Sequence, residues 1–371
     1  MTKDIIVDAH EDLAWNMLTF GRDYSRPAAE TRRLEQDTDF PAYNGDTLLG
    51  WADYQAGSVA IVFGTLFAAP RRRTAGWAPL GYEEPEDAHR LYWSQVEQYH
   101  RFIDQYPDQF RLIESLIDLH EVLSYWSYPR PEPQPSSSQV DSERPVGLVI
   151  LMEGAEGVRS PGELEDWWQA GVRIIGPAWA GTRFCGGTHE PGPMTSEGWA
   201  LLDAMHEGGF VLDISHMDEK AALQALDRYP GRIIASHANA QALLKGVDSN
   251  RHLSNQLIER LVERSGITGI IPHNPFLTPG WQVQDGKNSV SIEKVAAQID
   301  FVCQLAGDAN HVALGSDFDG GFGWQATPAE INTIADLQKL VPLLQQRGYS
   351  QEDTAAILGQ NWLKLLEETL P

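Results

Sequence analysis

The residues in this sequence best able to bind metal ions or move protons recur at one kind of place, the polar end of an apolar run. "IIVDAHEDLAWN" (5–16) passes from Ile5, Ile6 and Val7 into Asp8, His10, Glu11 and Asp12. "GLVILMEG" closes on Glu153, "GFVLDISH" on His216, "RIIASHAN" carries His237 and "HVALGSDFDG" carries Asp317. Charged groups lose several kcal/mol when they enter a core unpaired, so such ends must be paired, solvated or bound to a cation. Imidazole nitrogens and carboxylate oxygens are the donors expected at a catalytic zinc. His10, Asp12, Glu153, His216 and His237 are too few for two separate ions and sufficient for two that share a carboxylate. Glu153, central in strand order, suits the shared place. Two ions roughly 3.5–4 Å apart share a hydroxide and polarise a carbonyl. Asp317 is then placed to take the hydroxide's proton and pass it to a leaving group. The cofactor expected is two divalent metal ions, zinc first.

Blander readings compete. A single histidine at a strand end is more often a hydrogen-bonded structural residue than a ligand. "HED" alone is weak, and "SDFDG" alone reads equally as an Asp-Gly turn. The weight lies in the coincidence of all of them at one end of the same fold. His273 ends a further run, whereas His89, His100, His120, His206, His252 and His311 fall in helices or strand starts and carry no chemistry in this reading. Cys185 and His189 in "FCGGTHE" have a metal-like spacing but read as a glycine-rich loop, and Trp167 and Trp168 read as packing.

The elements that position these ends are eight apolar runs rich in β-branched residues, at 4–10, 58–67, 147–154, 172–179, 209–216, 232–239, 266–274 and 311–320. Near-continuous apolar runs suit strands buried on both faces of a parallel sheet. Helical patterns separate most of them, at 161–170, 195–209, 217–230, 253–266 and 289–307, and two more close the chain at 327–347 and 350–369. Ser160 before Pro161, and Thr327 before Pro328 with Glu330 in the first turn, are helix-start signals. Eight strands alternating with helices predict a (β/α)₈ TIM-like barrel, whose active site lies at the C-terminal strand ends. Within a strand, residues i and i+2 share a face, so His10 and Asp12 both reach the barrel mouth. Such a barrel takes about 250 residues, and the chain has 371. The surplus is assigned to long insertions after strands one and two, 17–57 and 68–146, the second with helices near 86–105 and 108–124. The stretch 129–145, "PRPEPQPSSSQVDSERP", reads as an exposed loop within one domain spanning 1–371.

Composition narrows the function. With 28 basic and 52 acidic residues the net charge is −24, a field that repels phosphate backbones and argues against nucleic acid as partner. No apolar stretch nears the roughly 18 residues that span a bilayer, and the first residues lack the pattern of a signal peptide. Two cysteines, Cys185 and Cys303, make no disulfide framework and suit a reducing cytoplasm.

The ordered segments "DAHEDLAW", "MEGAEG", "LDISHM", "SHANA", "NRHLS", "GSDFDG" and "LGQNWLKLL" together resemble the membrane (renal) dipeptidase family of zinc metallopeptidases, within the amidohydrolase-like barrels. The resemblance runs from residue 4 to about 368, is dense in the second half, and is poor over 17–57 and 68–146. It implies that His10, Asp12 and Glu153 hold one zinc, that Glu153, His216 and His237 hold the other, and that Asp317 shuttles the proton. Arg251 in "NRHL" falls where the family carries an arginine for the substrate's C-terminal carboxylate, which a guanidinium grips in bidentate fashion. Asp8 would support the ligands by hydrogen bond. Where the family usually ends strand four in a histidine that helps polarise the scissile carbonyl, this sequence has Trp179. An indole donates one hydrogen bond and carries no positive charge. Arg183 or His189 in the following loop would then substitute. The expected activity is hydrolysis of a dipeptide or small N-acyl amino acid. A lactonase or deaminase on the same metals, or a non-catalytic barrel, are the alternatives. Homodimers are common among such proteins.

Overall fold

A computed structural model of the chain describes residues 4–74, 81–126, 144–247 and 249–371. Each of the eight apolar runs contains a strand: β1 (Ile6–Glu11), β2 (Val59–Phe67), β3 (Val146–Glu153), β4 (Val172–Gly176), β5 (Val211–Asp213), β6 (Ile233–Ile234), β7 (Thr268–Ile270) and β8 (Val312–Leu314). They pair in parallel from β1 through β6 in chain order, β7 pairs with β8, and β8 returns to β1. Between β6 and β7 the ring closes through one parallel bridge, Ala235 against Thr268, with Ala235 N donating to Ile267 O at 2.9 Å and Gly269 N to Ala235 O at 2.8 Å. The expected TIM-like barrel is therefore present. Its strands are buried on both sides, which is why they are rich in Val, Ile and Leu without polar alternation.

The ladders are uneven. Ile61–Phe67 runs alongside Gly147–Glu153 without interruption, while β5 to β8 are two or three residues long. Small residues make the short side close. A Cβ on Gly269 or Gly315 would collide with the carbonyl of Ser236, so two glycines let β7 and β8 pack onto the residue that precedes His237.

Both insertions lie where expected, with differences in detail. The first places three short helices, Ala28–Glu35, Phe40–Asn44 and Trp51–Gly57, beside the β1 and β8 ends. It is tied down by Asp319, fully buried, which accepts from Arg22 Nη1 (2.9 Å), Tyr24 OH (2.9 Å), Thr47 Oγ1 (2.5 Å) and Leu48 N (3.0 Å). In the second insertion the helix Pro85–Gln105 starts at a Glu84/Asp87 capping box. The expected helix 108–124 instead begins at Leu116. Phe110–Leu112 is a short strand pairing in parallel with Val146–Leu148, the part of β3 that precedes its pairing with β4, its start governed by Pro107 and a turn in which Gln109 N and Phe110 N donate to Tyr106 O. The loop expected at 129–145 lies, apart from its last two residues, outside the described residues.

The penultimate helix also starts later than 327. Glu330 does not cap it; its carboxylate takes Ile292 N (2.8 Å) and Ser291 Oγ (3.0 Å) and so caps the helix Glu293–Ala306. The real start is Thr333 with Asp336, whose carboxylate accepts from Asn332 N and Thr333 N. A π-turn at 356–360 interrupts the last expected helix. No helix among the described residues is long and apolar enough to cross a membrane.

Candidate metal centre and its cavity

The C-terminal ends of β1, β3, β5, β6 and β8 bring six expected residues together. Glu153 Oε1 lies 3.0 Å from His216 Nε2, 3.2 Å from His237 Nε2 and 3.6 Å from His10 Nε2. One carboxylate oxygen thus faces three imidazoles contributed by three strands. His10, Glu153 and His237 form one group whose ligand atoms are close enough to share an ion, and His10, Asp12 and Asp317 form another. Asp317 Oδ1 stands 3.9 Å from His10 Nε2. Asp317, of which a proton-carrying role is expected, thus sits among the candidate ligand atoms.

The donor set fits cations. Both ring nitrogens of His10 are buried without a hydrogen-bond partner, a costly state for a polar group unless something else binds it. His237 Nδ1 is held by Ser236 Oγ at 2.8 Å, and that hydroxyl donates to Asp213 Oδ2 at 2.5 Å. His216 Nδ1 meets Thr188 Oγ1 at 2.9 Å. Because the Ser236 proton is given to Asp213, Ser236 accepts from His237 Nδ1–H, which frees the Nε2 lone pair in the orientation a metal ligand needs, while Thr188 holds the same edge of the His216 ring. Asp12 follows β1, where it leads into the helix Leu13–Phe20, and accepts from Thr65 Oγ1. Tyr92 OH donates to Glu153 O (3.0 Å) and Gly154 O (2.7 Å), fixing the end of β3.

Charge is strongly redistributed here. Burial works to raise Glu153, and His10 and His216 overcome it, holding the carboxyl well below its usual range. Burial lowers His216 to about 4 with help from Arg251, and lowers His237 well below its usual value. His10 goes the other way, to about 9, because Glu153, Asp317 and Asp12 outweigh burial. Burial lifts Asp317 well above the ordinary carboxyl range. Its backbone is left-handed, with φ +58°, and the loop holding it is fixed by Asp8, which accepts from Ser316 N (2.6 Å) and Ser316 Oγ. Asp8 therefore braces the Asp317 loop and does not orient a ligand imidazole, as had been expected.

Above the cluster opens a cavity of about 490 Å³. Arg251 lines it, buried, with Nη1 on Ser215 O (3.0 Å) and Nη2 on His237 O (2.9 Å). Trp179 lines it too, its ring 6.2 Å from that of His216. Of the two residues expected to replace the missing imidazole, exposed His189 reaches the cavity and Arg183 does not. Arg183 is held by Glu156 through a 2.8 Å ion pair and a bond to Glu156 O. Cys185 lies in a hairpin of Cys185–Gly187 with Glu190–Met194, buried, its thiol raised to about 12 by burial. The glycine-rich reading of that loop stands, and Trp167 packs on Trp93 at 4.6 Å.

Sequence reasoning missed Ser236, Thr188 and Asp213, which set the imidazoles, and the aromatic residues Trp15, Phe67, Phe276 and Phe322 of the cavity wall. One signal was available. The dipeptide Ser-His recurs after two successive runs, Ser215-His216 and Ser236-His237, and the two hydroxyls lie 3.2 Å apart.

The family model for membrane dipeptidase (peptidase family M19) matches residues 135–370. An uncharacterized protein in the pqqA 5′ region of Klebsiella pneumoniae is 31% identical over 237 residues, 61% of this chain and 83% of that one. The dipeptidase tcpJ of Claviceps purpurea is 29% identical, covering 60% of this chain. The dipeptidase aclJ of Aspergillus oryzae is 26% identical, covering 74%. This chain spans only 51% and 60% of those two fungal proteins. Among solved structures, a metallopeptidase from Rhodobacter sphaeroides liganded with a phosphinate mimic of L-Ala-D-Ala superposes with a TM-score of 0.75 over 99% of both chains at 20% identity. The probable dipeptidase PvdM from Pseudomonas aeruginosa gives 0.77 at 16% identity, over 99% of this chain and 95% of that one. At those identities the structures show a shared fold.

Proposed function

Because the chain belongs to the membrane dipeptidase family and is a metallo-dependent hydrolase, we propose that it cleaves the amide bond of a dipeptide or a small N-acyl amino acid at a pair of zinc ions. The observation that carries this reading is Glu153 Oε1 within 3.0–3.6 Å of three imidazole nitrogens. His10 and Asp12 would hold one ion, His216 and His237 the other, with Glu153 between them. When bound, such ions supply Lewis acidity, activating a water and polarising the carbonyl.

The protein's own groups do the rest. Arg251, steadied by two carbonyls, offers its guanidinium to the substrate carboxylate. Asp317, whose burial favours the protonated form, carries a proton at Oδ1 toward the departing nitrogen. Trp179 provides an apolar surface where the family usually has an imidazole. Cys185 and Cys303, both free, support work in a reducing cytoplasm.

The test is metal content by mass spectrometry on protein purified without added metal, alongside a panel of dipeptides, N-acyl amino acids, lactones and aminated heterocycles. Near two zinc per chain, falling sharply in Glu153→Ala, together with turnover of amides, is expected. A wild-type protein that takes up no zinc would remove the metal reading, and preference for lactones would replace the substrate class.

A further inference from the structure

The cavity has two unlike halves. Over β6, β7 and β8 stand Arg251, His273, Phe276 and Phe322. His273 stacks on Phe322 at 4.0 Å and meets Phe276 edge-on at 4.7 Å, while the Arg251 guanidinium lies 5.6 Å from the Phe276 ring. Over β1 to β4, across the cluster, stand Trp15, Phe67 and Trp179. Trp15 meets Phe67 edge-on at 6.2 Å and Phe67 meets Trp179 at 5.2 Å, so the three rings form one continuous wall. This wall is built to stay in place. Gln95 clamps the backbone of Phe67 from both sides, donating to Phe67 O (2.6 Å) and accepting from Phe67 N (2.9 Å). Thr188 N donates to Trp179 O at 2.9 Å, tying Trp179 to the residue that holds His216.

We propose that Trp15, Phe67 and Trp179 form a subsite for an aromatic or large apolar group on the acyl side of the scissile bond. The proposal rests on the hydrolase reading above. A substrate anchored by its carboxylate at Arg251 with its carbonyl over the Glu153 cluster has one direction left for its acyl substituent, toward the β1–β4 side. Among the described cavity-lining residues, the carboxylates are Asp12, Glu153 and Asp317, all within the cluster itself. The remaining cation, Arg73, is engaged by Glu190 at 2.7 Å and by His189 O at 2.9 Å. Thr74 and exposed His189 also line the cavity, but the three-ring wall itself is apolar and edge-rich, a surface that rewards a flat ring through area and edge-to-face contact.

Metal-loaded protein is assayed on phenylacetyl-glycine against acetyl-glycine, and on L- and D-phenylalanyl-glycine against glycyl-glycine. These pairs hold the carboxyl side constant. A kcat/KM advantage of about tenfold or more is expected for the aromatic member, since such a factor needs only ~1.4 kcal/mol. The advantage should fall toward unity in Trp179→Ala and Phe67→Ala and persist in Trp179→Phe. Equal rates in wild type, or an advantage untouched by both alanine variants, overturn the subsite while leaving the hydrolase reading intact. If no amide turns over, the hydrolase reading fails, and calorimetry on Asp317→Asn protein decides the subsite alone. Phenylacetyl-glycine binding about tenfold or more tighter than acetyl-glycine supports it; equal or undetectable binding overturns it.

Discussion

Ser236 is the residue whose loss should be most informative. Its hydroxyl relays Asp213 to His237 Nδ1, so Ser236→Ala leaves the ligand present but its tautomer and tilt unfixed. Zinc affinity is expected to fall about 10–100-fold with folding little changed, read by competition with a chromogenic chelator against a melting curve. Arg251→Lys asks a different question. A lysine cannot reproduce the fork that bonds Ser215 O and His237 O and still meet a carboxylate edge-on. KM should rise about 10–100-fold, the worth of one or two charge-assisted bonds, with a smaller change in kcat and no change for C-terminally amidated substrates. At this scale the sequence was readable wherever a ligand-type residue ended an apolar run, as His10, Glu153, His216, His237 and Asp317 do. Thr188 and Asp213 were not readable, because nothing local distinguishes a threonine in a hairpin that will meet an imidazole through space, or a strand-end aspartate that will reach one through a serine hydroxyl.

Elements around the site are held by another carboxylate. Asp319 gathers Arg22, Tyr24, Thr47 and the Leu48 amide from the first insertion, two residues beyond Asp317. Asp319→Ala leaves buried Arg22 with Glu35 as its one remaining carboxylate, beside Asn16 Oδ1 and Gly45 O, and breaking a buried pair typically costs about 3–5 kcal/mol. Urea unfolding should show that loss, and activity should fall beyond it because the Asp317 loop shares the anchor. Gly320→Ala tests the same loop without touching charge. A Cβ there would strike the Asp317 carboxylate, so activity should drop while stability falls little. The helices were legible by periodicity, their starts less so. Thr327 and Glu330 carry the local signature of a helix start, yet Glu330 caps the helix Glu293–Ala306 through Ile292 N. Capping chemistry is the same whether the capped helix follows in sequence or only in space, which is why a one-dimensional reading misassigned it. The insertion after β2 was mistaken for similar reasons. Phe110–Leu112 becomes a strand only because Val146–Leu148 lies beside it.

For the whole molecule, pH offers a probe remote from the cluster. Lys287 is buried against Trp324, donates to Ile331 O, and is lowered by burial from 10.5 to about 8. Below about 8 both folded and unfolded chains hold its proton and the burial cost is fully felt. Between there and 10.5 the unfolded chain binds a proton that the folded chain does not, so this contribution makes stability rise with pH. Lys287→Met should abolish that rise, seen as a gap between the two melting temperatures that changes through this window.

The uneven barrel ladders carry one more consequence. Backbone amides exchange with solvent deuterium through local openings, and short ladders open more readily than long ones. β2 and β3 should therefore be the slowest-exchanging strands, whereas β5 to β8, bridged at one point by Ala235 and Thr268, should exchange earlier. The two halves carry different members of the proposed ligand set: His10, Asp12 and Glu153 on the slow side, His216 and His237 on the fast one. A cation held by both would act as a rivet across the seam. Loading zinc should slow exchange in β5 and β6 far more than in β2 and β3, and a chelator should release the weaker half first while the longer ladder stays protected.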